Sequence, residues 1–453
     1  MSLMIGVSEK IRKVDLRIVC ALVIFLIAIS LRLSYQSASI VDQPIRADAQ
    51  QYFFTAYNLF HNGVYSIEAP SDKNIKPRTI WRRTPGYPLF LYPFFYFSKT
   101  TNEFLINVTL SQAILGSMTC VLAFFLALCI FPIPLAFIVG LLTALSPHLI
   151  AMDDYLLSES LFTFTIVLAA LITVISFQKR SLWLVLLSGA LFCLSATIRE
   201  ITGFLGLFMI LMFLVDSHYW KAEKKNRLCI ALLFFSLGIA LVQIPYSYTR
   251  NTIIASSASV PEESAWRHMV NGSDPDMRNF FINKVVPEVR KHTERMIEDK
   301  GYGLSVLFKR FREDPVSYLR WYVGGKLLFM WKWDSMYIGD VYQYPMVAKG
   351  FHQENWLSGI HRVMLLLHWP LFAFAIFGTL VFILNWRYRR LRKFEDLLFV
   401  PVLVFLYFSI VLTIMMPLPR YAIPIRPFIY ILGCYGLMIA FLFFKQFSQK
   451  KRL

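Results

Sequence analysis

Five short stretches of this sequence combine carboxylate, guanidinium, tyrosine and proline side chains next to long apolar runs. They are 46–52, 81–88, 153–159, 199–200 and 417–424, and they contain Asp48, Tyr52, Arg83, Asp154, Glu159, Arg199, Arg420 and Tyr421. Ionisable groups beside a membrane are costly to place and are therefore candidates for function. Guanidinium groups bind phosphate oxygens in pairs, and a carboxylate orients or deprotonates an acceptor hydroxyl. This mixture of groups suits chemistry on a phosphate-bearing lipid.

Each of these residues also has a purely structural interpretation. An arginine at a membrane boundary can simply extend towards the lipid head groups, and the prolines of the second and last stretches can serve only to redirect a helix. Asp153 and Asp154 are interpreted first as a cap for the helix that follows them. For Asp48 the sequence favours function over capping, because this residue follows a loop and precedes the aromatic, helix-like stretch 52–60.

The elements that must position these residues are membrane helices. Of 453 residues, 57% are apolar and 16% are charged, and the mean hydropathy is +0.54. Soluble domains are about 45–50% apolar and about 25% charged, so this composition excludes a cytosolic globular enzyme, a disordered chain and a small disulfide scaffold. A bilayer core needs about 20 apolar helical residues. Such runs predict an all-α polytopic membrane protein with about ten transmembrane helices, at 16–33, 104–128, 133–151, 157–177, 182–198, 201–217, 228–246, 361–384, 397–416 and 427–444.

The basic residues predict the orientation of these helices. Lys and Arg are enriched in cytoplasmic segments, and with a cytoplasmic N-terminus every short inner connection except 129–132 is basic. Both termini are then cytoplasmic, and all five stretches meet at the outer face. A single long helix across Arg199-Glu200 is the alternative to the fifth and sixth spans, and it would invert everything downstream. The first span is not expected to be a cleaved signal peptide, since no small-residue cleavage site follows it.

This topology divides the chain into three regions. Residues 1–246 form an N-terminal transmembrane module with a long first outer loop at 34–103, and residues 361–453 form the C-terminal transmembrane helices. Between them, 247–360 is a second outer region that is predicted to contain amphipathic helices. Its stretch Tyr318–Trp333 mixes aromatic and basic residues, as a helix lying in the membrane interface does. The alternative for this stretch is an eleventh span, which Lys326, Lys332 and Gly324-Gly325 disfavour.

Metal and nucleic-acid binding are not indicated. All six cysteines lie in or beside spans, without a Cys-x-x-Cys motif, and are interpreted as small core residues. His148, His361 and His368 are interpreted as packing residues rather than metal ligands. The net charge of +18 is explained by the basic inner segments, which meet anionic lipid, and by a phosphate-bearing substrate. No nucleic-acid partner is implied.

At the five stretches the sequence resembles the GT-C-fold glycosyltransferases, in particular the group of protein O-mannosyltransferases, lipid A aminoarabinose transferases and their bacterial relatives. The resemblance rests on motifs in the family's order, namely Asp48-x-x-x-Tyr52, Arg83-Thr84-Pro85-Gly86-Tyr87-Pro88, Leu157-Ser158-Glu159, Asp314-Pro315-x-x-Tyr318-Leu319-Arg320 and Arg420-Tyr421-x-x-Pro424. Each motif alone is nonspecific, but the set, in this topology, covers residues 46–424.

The resemblance implies an inverting transfer of a sugar from a polyprenyl-phosphate donor to a lipid, glycan or protein acceptor. Asp48 would be the catalytic base or would orient the acceptor. Arg83, Arg199 and Arg420 would bind the lipid phosphate as it leaves. Glu159 would bind the sugar or the acceptor, and Tyr52, Asp154 and Tyr421 are further substrate-binding candidates.

Two departures from the family pattern affect the cofactor. Ala49 follows Asp48 where the mannosyltransferases have a second acidic residue, and Arg83-Thr84 replaces the acidic residue and lysine of the aminoarabinose enzymes. A possible metal ligand is thereby removed, so no cofactor is required, although a divalent cation is possible. The donor sugar and the acceptor stay open.

The resulting prediction is an enzyme of the bacterial inner membrane with its active site facing the periplasm. A transporter or flippase of a lipid-linked sugar is the alternative from another class, and it would favour internal repeats and ionisable groups near the membrane midplane. A polysaccharide polymerase or ligase would share the basic outer face but need not depend on Asp48. A membrane scaffold would not explain so many charges along one rim.

Overall fold

The computed structural model describes residues 2–70, 76–215, 225–255, 265–277, 285–335, 338–387 and 395–450, and this part of the chain is largely helical. The α-helices of the first half are α1 Ser2–Ala38, α2 Ala47–Asn62, α3 Gly86–Leu91, α4 Phe94–Phe97, α5 Thr101–Leu128, α6 Ile133–Ala144, α7 Pro147–Met152, α8 Glu159–Lys179, α9 Leu182–Ile198 and α10 Leu205–Val215. Those of the second half are α11 Lys225–Ala255, α12 Ala265–Asn271, α13 Pro287–Glu298, α14 Lys300–Glu313, α15 Pro315–Arg320, α16 Lys326–Met330, α17 Gly350–Gln353, α18 Asn355–Arg387, α19 Phe399–Ile414, α20 Pro419–Ala422 and α21 Arg426–Lys450.

Seven helices in the described residues are long and apolar enough to cross a membrane. They are Leu16–Ala38, Thr101–Leu128, Glu159–Lys179, Cys229–Ala255, Asn355–Trp386, Asp396–Ile414 and Pro419–Gln446. Three shorter apolar helices, Ile133–Ala144, Leu182–Ile198 and Glu200–Ile210, coincide with the other predicted spans. The helical membrane class is therefore confirmed. The count of ten stays a prediction, because the three short helices fall below the length of about 20 residues that a bilayer core requires.

The fifth and sixth predicted spans are two separate helices. Helix α9 ends at Ile198, Arg199 has extended backbone angles, and a 3₁₀ turn over Glu200–Thr202 leads into α10. The alternative of one continuous helix is therefore wrong. The break leaves the guanidinium group of Arg199 and the carboxylate of Glu200 at the same end of the two helices.

The stretch before the C-terminal helices consists of several short helices. Helices α13 to α16 are joined by short turns, and Trp321–Gly325 forms a π-helical turn between α15 and α16. The large apolar side chains of Phe308 and Val323 are more than 70% exposed, as expected for a surface that lies against lipid. This stretch is not among the helices that could cross a membrane, so the eleventh span is not supported. Residues 278–284 of this region lie outside the described residues.

A small antiparallel sheet connects the segment after α1 with the segment before α17. Strand β1, Ile40–Val41, pairs with strand β2, Met346–Ala348, in the register Ile40 with Ala348 and Val41 with Met346. The sheet holds the segment after α1 beside the segment before α17. It thereby fixes where α2, which follows β1, begins.

Asp153 takes part in a buried ion pair rather than in a helix cap. Helix α8 begins at Glu159 with Ser158 in the N-cap position, so the prediction that Asp153 and Asp154 cap this helix is wrong. Asp153 Oδ2 instead lies 2.6 Å from Nε of Arg32, and both side chains are almost fully buried. A Cβ atom at Gly116 would overlap Asp153 Oδ2, so close approach of the α5 backbone requires glycine here. Arg32 was not singled out from the sequence, because it lies within the first apolar run.

We expect replacement of Arg32 by Met to destabilise the protein by about 3–5 kcal/mol, because it leaves the Asp153 carboxylate buried without a partner. The double variant Arg32→Met/Asp153→Leu should regain much of this loss. Denaturant unfolding in detergent measures both. Arg17→Met, an exposed position on the same helix, is the control, and an Arg32→Met variant as stable as this control would contradict the interpretation.

Candidate active site

Five charged side chains meet at one end of the helix bundle. They belong to five separate elements, the first turn of α2, the loop before α3, the start of α8, the residue after α9 and the start of α20. Successive antiparallel helices bring alternate helix ends to the same side, which is why residues so distant in the sequence come together. The five residues, called the charged cluster below, are Asp48, Arg83, Glu159, Arg199 and Arg420.

Asp48 is held by two arginines. Its Oδ1 accepts a hydrogen bond from Nη2 of Arg83 at 2.6 Å, and its Oδ2 accepts one from Nη1 of Arg420 at 2.9 Å. The Asp48 side chain is 35% exposed, so a substrate can still reach it. Ala47, the preceding residue, has a φ of 48°, a left-handed value that is unusual for a residue with a side chain. The backbone is thus strained at the residue immediately before this carboxylate.

The arginines keep Asp48 ionised. Burial raises the pKa of the Asp48 carboxyl, but the positive charges of Arg420 and Arg83 outweigh burial and lower this pKa to about 2. The carboxylate is therefore charged at every physiological pH. It is a hydrogen-bond acceptor and a weak base as long as both arginines stay in place.

Glu159 is fully buried and contacts Arg420 and one further arginine, Arg199. Its Oε1 accepts a hydrogen bond from Nε of Arg420 and lies 2.7 Å from Nη1 of Arg199. Arg420 thus bridges the two carboxylates, with Nε towards Glu159 and Nη1 towards Asp48. This position suits Glu159 for orienting arginines better than for contacting a sugar, because no part of its side chain is exposed.

Aromatic rings complete the cluster. The guanidinium carbon of Arg83 lies 5.5 Å from the centre of the Tyr52 ring, and that of Arg199 lies 5.2 Å from the centre of the Tyr421 ring. These distances are typical of cation–π contacts. Rings on one side and carboxylates on the other restrict where each guanidinium group can move.

A cavity of about 210 Å³ lies beside the charged cluster. Its polar lining includes Arg82, Arg83, Arg199 and Glu200. Its apolar lining is contributed by Ile198, Ile201, Phe204, Val411, Met415 and Met416. A cavity lined by both arginines and apolar side chains matches a ligand that has an anionic head group and a hydrocarbon tail.

Seven of the eight predicted site residues belong to this arrangement, and Asp154 is the exception. No hydrogen bond or ion pair joins its carboxylate to the charged cluster in the described part of the chain, and its buried Oδ2 has no partner there. Burial, with the charge of the neighbouring Asp153, raises the pKa of Asp154 to about 7. Its predicted role in substrate binding is untested.

Two residues of the site were not singled out from the sequence. Gln51 accepts a hydrogen bond from Nε of Arg83 at 2.8 Å, and the hydroxyl of Tyr344 accepts one from the backbone N–H of Ala49 at 3.3 Å. Gln51 could have been found, because it lies on the same face of α2 as Asp48, one turn later. Tyr344 carries no sequence signal that connects it with α2.

The described residues show no side-chain cluster that would hold a divalent cation. Among the described residues no group of three or more His, Cys, Asp or Glu side chains lies close enough to hold a metal ion. Both oxygens of Asp48 are occupied by arginines, whose positive charge disfavours a cation. The three histidines considered in the sequence make packing contacts, His148 and His368 with the carbonyls of Trp333 and Trp331 and His361 with Asp340.

Comparison with known proteins identifies the fold. No protein-family model matches the sequence, and no curated protein matches it. The crystal structure of the oligosaccharyltransferase of Archaeoglobus fulgidus in the apo form is 14% identical, with a TM-score of 0.55 over 96% of this chain and 52% of that one. The archaeal oligosaccharyltransferase AglB from Archaeoglobus fulgidus, in complex with an inhibitory peptide and a dolichol-phosphate, is 12% identical with a TM-score of 0.48 over 97% and 52%.

A further match is ArnT from Cupriavidus metallidurans bound to undecaprenyl phosphate, which is 13% identical, with a TM-score of 0.45 over 94% of this chain and 60% of that one. The chain thus spans about half of the length of the solved oligosaccharyltransferases and somewhat more of ArnT. At these identities only the fold can be compared. The comparison rests on the apo oligosaccharyltransferase, whose TM-score is 0.55. The chain therefore has the GT-C-type membrane fold that its sequence motifs indicate.

Proposed function

We propose that this chain is an integral-membrane glycosyltransferase that moves a sugar from a polyprenyl-phosphate donor to an acceptor of the cell envelope, with inversion. The observation that carries the proposal is the position of Asp48, an accessible carboxylate held by Arg83 and Arg420. Arg83 also lines a cavity that has both basic and apolar side chains in its wall. The GT-C-type fold supports the same reaction class. The acceptor is a lipid A, polysaccharide or protein molecule.

The proposed reaction is a single in-line displacement. The acceptor hydroxyl donates a hydrogen bond to Asp48 and attacks the anomeric carbon of the donor sugar. A new bond forms between the acceptor oxygen and this carbon, the bond from the carbon to the phosphate oxygen breaks, and the polyprenyl phosphate leaves with the bonding electrons. The hydroxyl proton passes to Asp48 and then to solvent. Attack from the face opposite to the leaving group inverts the configuration.

The arginines have two roles in this scheme. Arg83, Arg199 and Arg420 supply positive charge to the phosphate as negative charge develops on it, with no need to reorganise. A phosphate that attracts Arg83 or Arg420 also weakens their hold on Asp48. The carboxylate therefore becomes a better base when the donor is bound. Without a bound donor, Asp48 mainly orients the acceptor.

The pH dependence of transfer follows from the pKa of Asp48. Because this pKa is about 2 in the folded protein without donor, Asp48 is ionised throughout the range from pH 5 to 8. We therefore expect no acidic limb from it in the rate profile at donor concentrations well below KM, where the profile reports the free enzyme. The unfolded value is about 3.9, so the contribution of Asp48 to stability is complete above pH of about 4 and is lost as the pH falls towards 2. A transfer rate that halves between pH 7 and 5 in wild type, with a midpoint displaced in Asp48→Glu, would contradict this.

The membrane placement is part of the proposal. The enzyme lies in the inner membrane as a multi-pass protein with both termini in the cytoplasm, and the charged cluster faces the periplasm. The distribution of Lys and Arg supports this orientation. Nucleotide sugars are not available on that side, which is consistent with a lipid-linked donor.

Comparison of envelope glycans by mass spectrometry tests the function. Cells that lack the chain should lose one sugar mass from one class of envelope molecule, and wild-type protein should restore it. The lost mass identifies the sugar, and the molecule that loses it identifies the acceptor. Identical glycan profiles with and without the chain, in cells that make the lipid-linked donor, would refute the proposal.

A further inference from the structure

A buried arginine that follows Arg420 by six residues has no carboxylate partner among the residues that the structure describes. Arg426, the first residue of α21, is 6% exposed. Its partners are neutral: Nη1 lies 3.4 Å from Nδ1 of His368, and a second hydrogen bond joins it to Tyr430. In the described part of the chain, no carboxylate forms an ion pair with Arg426. A buried charge of this kind is costly unless another ion compensates it.

The neighbouring histidines do not supply the missing charge. His368 Nε2 lies 2.7 Å from the carbonyl oxygen of Trp331. A carbonyl oxygen only accepts hydrogen bonds, so Nε2 carries the hydrogen, and Nδ1 is free to accept from Arg426. The imidazole is thus neutral. His148 Nε2 donates in the same way to the carbonyl oxygen of Trp333, at 2.7 Å.

A small cavity adjoins this arginine. Its volume is about 10 Å³, and Trp331, Trp333, His368, Phe372, Arg426 and Tyr430 are among its lining residues. Two N–H groups of this lining are buried without a hydrogen-bond partner, Nε of Arg426 and Nε1 of Trp331. Both groups are donors only. An unsatisfied buried donor is unfavourable, so an acceptor within this cavity would stabilise the lining that contributes both donors.

We propose that this cavity binds a single monatomic anion, chloride in the cell. The volume is that of one water-sized particle, so a phosphate or carboxylate ligand is too large. Water would satisfy the two donors but would leave the charge of Arg426 uncompensated. A chloride ion satisfies both requirements, and it would hold the Trp331–Trp333 segment between α18 and α21.

Thermal unfolding of the full-length protein in detergent tests the proposal. Sodium chloride is compared with sodium gluconate at equal ionic strength, because gluconate is too large for the cavity. We expect Tm to be about 3 °C higher in sodium chloride than in sodium gluconate, at a chloride concentration well above Kd. Equal Tm values in the two salts, at every concentration, would overturn the proposal.

Two variants locate the effect. Arg426→Met should abolish the difference between chloride and gluconate, whereas Arg290→Met, at an exposed position of α13, should retain it. Trp331→Phe removes one donor but keeps the charge, and it should reduce the response to chloride. A full chloride response in Arg426→Met would overturn the assignment.

Bromide makes the test independent of variant folding. Wild-type crystals grown in sodium bromide should show an anomalous difference peak within hydrogen-bond distance of Arg426 Nε and Trp331 Nε1. Density without an anomalous signal would mean that water fills the cavity, and that result would also refute the proposal.

Discussion

Replacement of Asp48 by Asn is expected to lower the rate of sugar transfer by about 10²–10⁴-fold, the usual contribution of a positioned proton acceptor. Asn keeps the size of the side chain but removes the charge that accepts the proton and binds Arg83 and Arg420. The amount of acceptor product in isolated membranes, quantified by mass spectrometry, measures the loss. Protein amount and elution volume in detergent show whether the variant is folded.

Asp42→Asn is the matched control for this experiment. Asp42 lies in the segment between α1 and α2, its side chain is 47% exposed, and its ion pair with Arg46 is long, at 4.0 Å. Exposed pairs of this kind contribute little, so the control should transfer sugar at the wild-type rate. If Asp48→Asn keeps more than a tenth of wild-type activity, Asp48 does not accept the proton.

The second large effect is expected at Arg420. This residue donates from two different nitrogens to two different carboxylates, Asp48 and Glu159. Arg420→Met leaves the fully buried Glu159 with Arg199 alone and should cost about 3–5 kcal/mol of stability, as the loss of one member of a buried ion pair does. We also expect transfer to fall by about 10²-fold, the effect of removing one electrostatic contact to a leaving group.

Arg420→Lys separates charge from geometry. The ammonium group of lysine is a single point of charge, whereas the planar guanidinium group can bridge two acceptors. Lysine should therefore restore little of the activity, even where it restores the yield of folded protein. Arg290→Met serves as the control for loss of one positive charge. Wild-type transfer by Arg420→Lys would show that charge alone suffices and that the bridge has no role.

The order of the apolar helices, and with it the predicted topology, comes from the sequence, but the helix ends do not: α6 ends at Ala144 rather than near 151, and α18 covers Asn355–Arg387 rather than 361–384. The convergence of Asp48, Glu159 and Arg420 followed from that topology, and the structure brings them together. Which arginine pairs with which carboxylate was not predictable. Helix periodicity gives the face of a residue but not the direction of a long side chain at a helix end.

Residues inside apolar runs were the hardest to interpret. Arg32 and Arg426 both lie within or beside predicted spans and were passed over, although each is almost fully buried. The partner of Arg32 is Asp153, which lies more than one hundred residues away in the sequence. Such a pair becomes visible only when the packing of α1 against α5 and the segment after α7 is known. The local sequence around Asp153 suggested a helix cap, and this interpretation was wrong because the local sequence does not show Arg32.

Reconstitution of the purified protein with lipid-linked sugars extracted from membranes of its source cells, together with envelope acceptors, tests the central claim most directly. Mass spectrometry follows both the lipid and the acceptor. A transferase releases one polyprenyl phosphate for each sugar that appears on the acceptor, and this release should depend on Asp48. If the lipid-linked sugar instead moves between the two leaflets of proteoliposomes without chemical change, the chain is a transporter, and the proposed reaction is wrong.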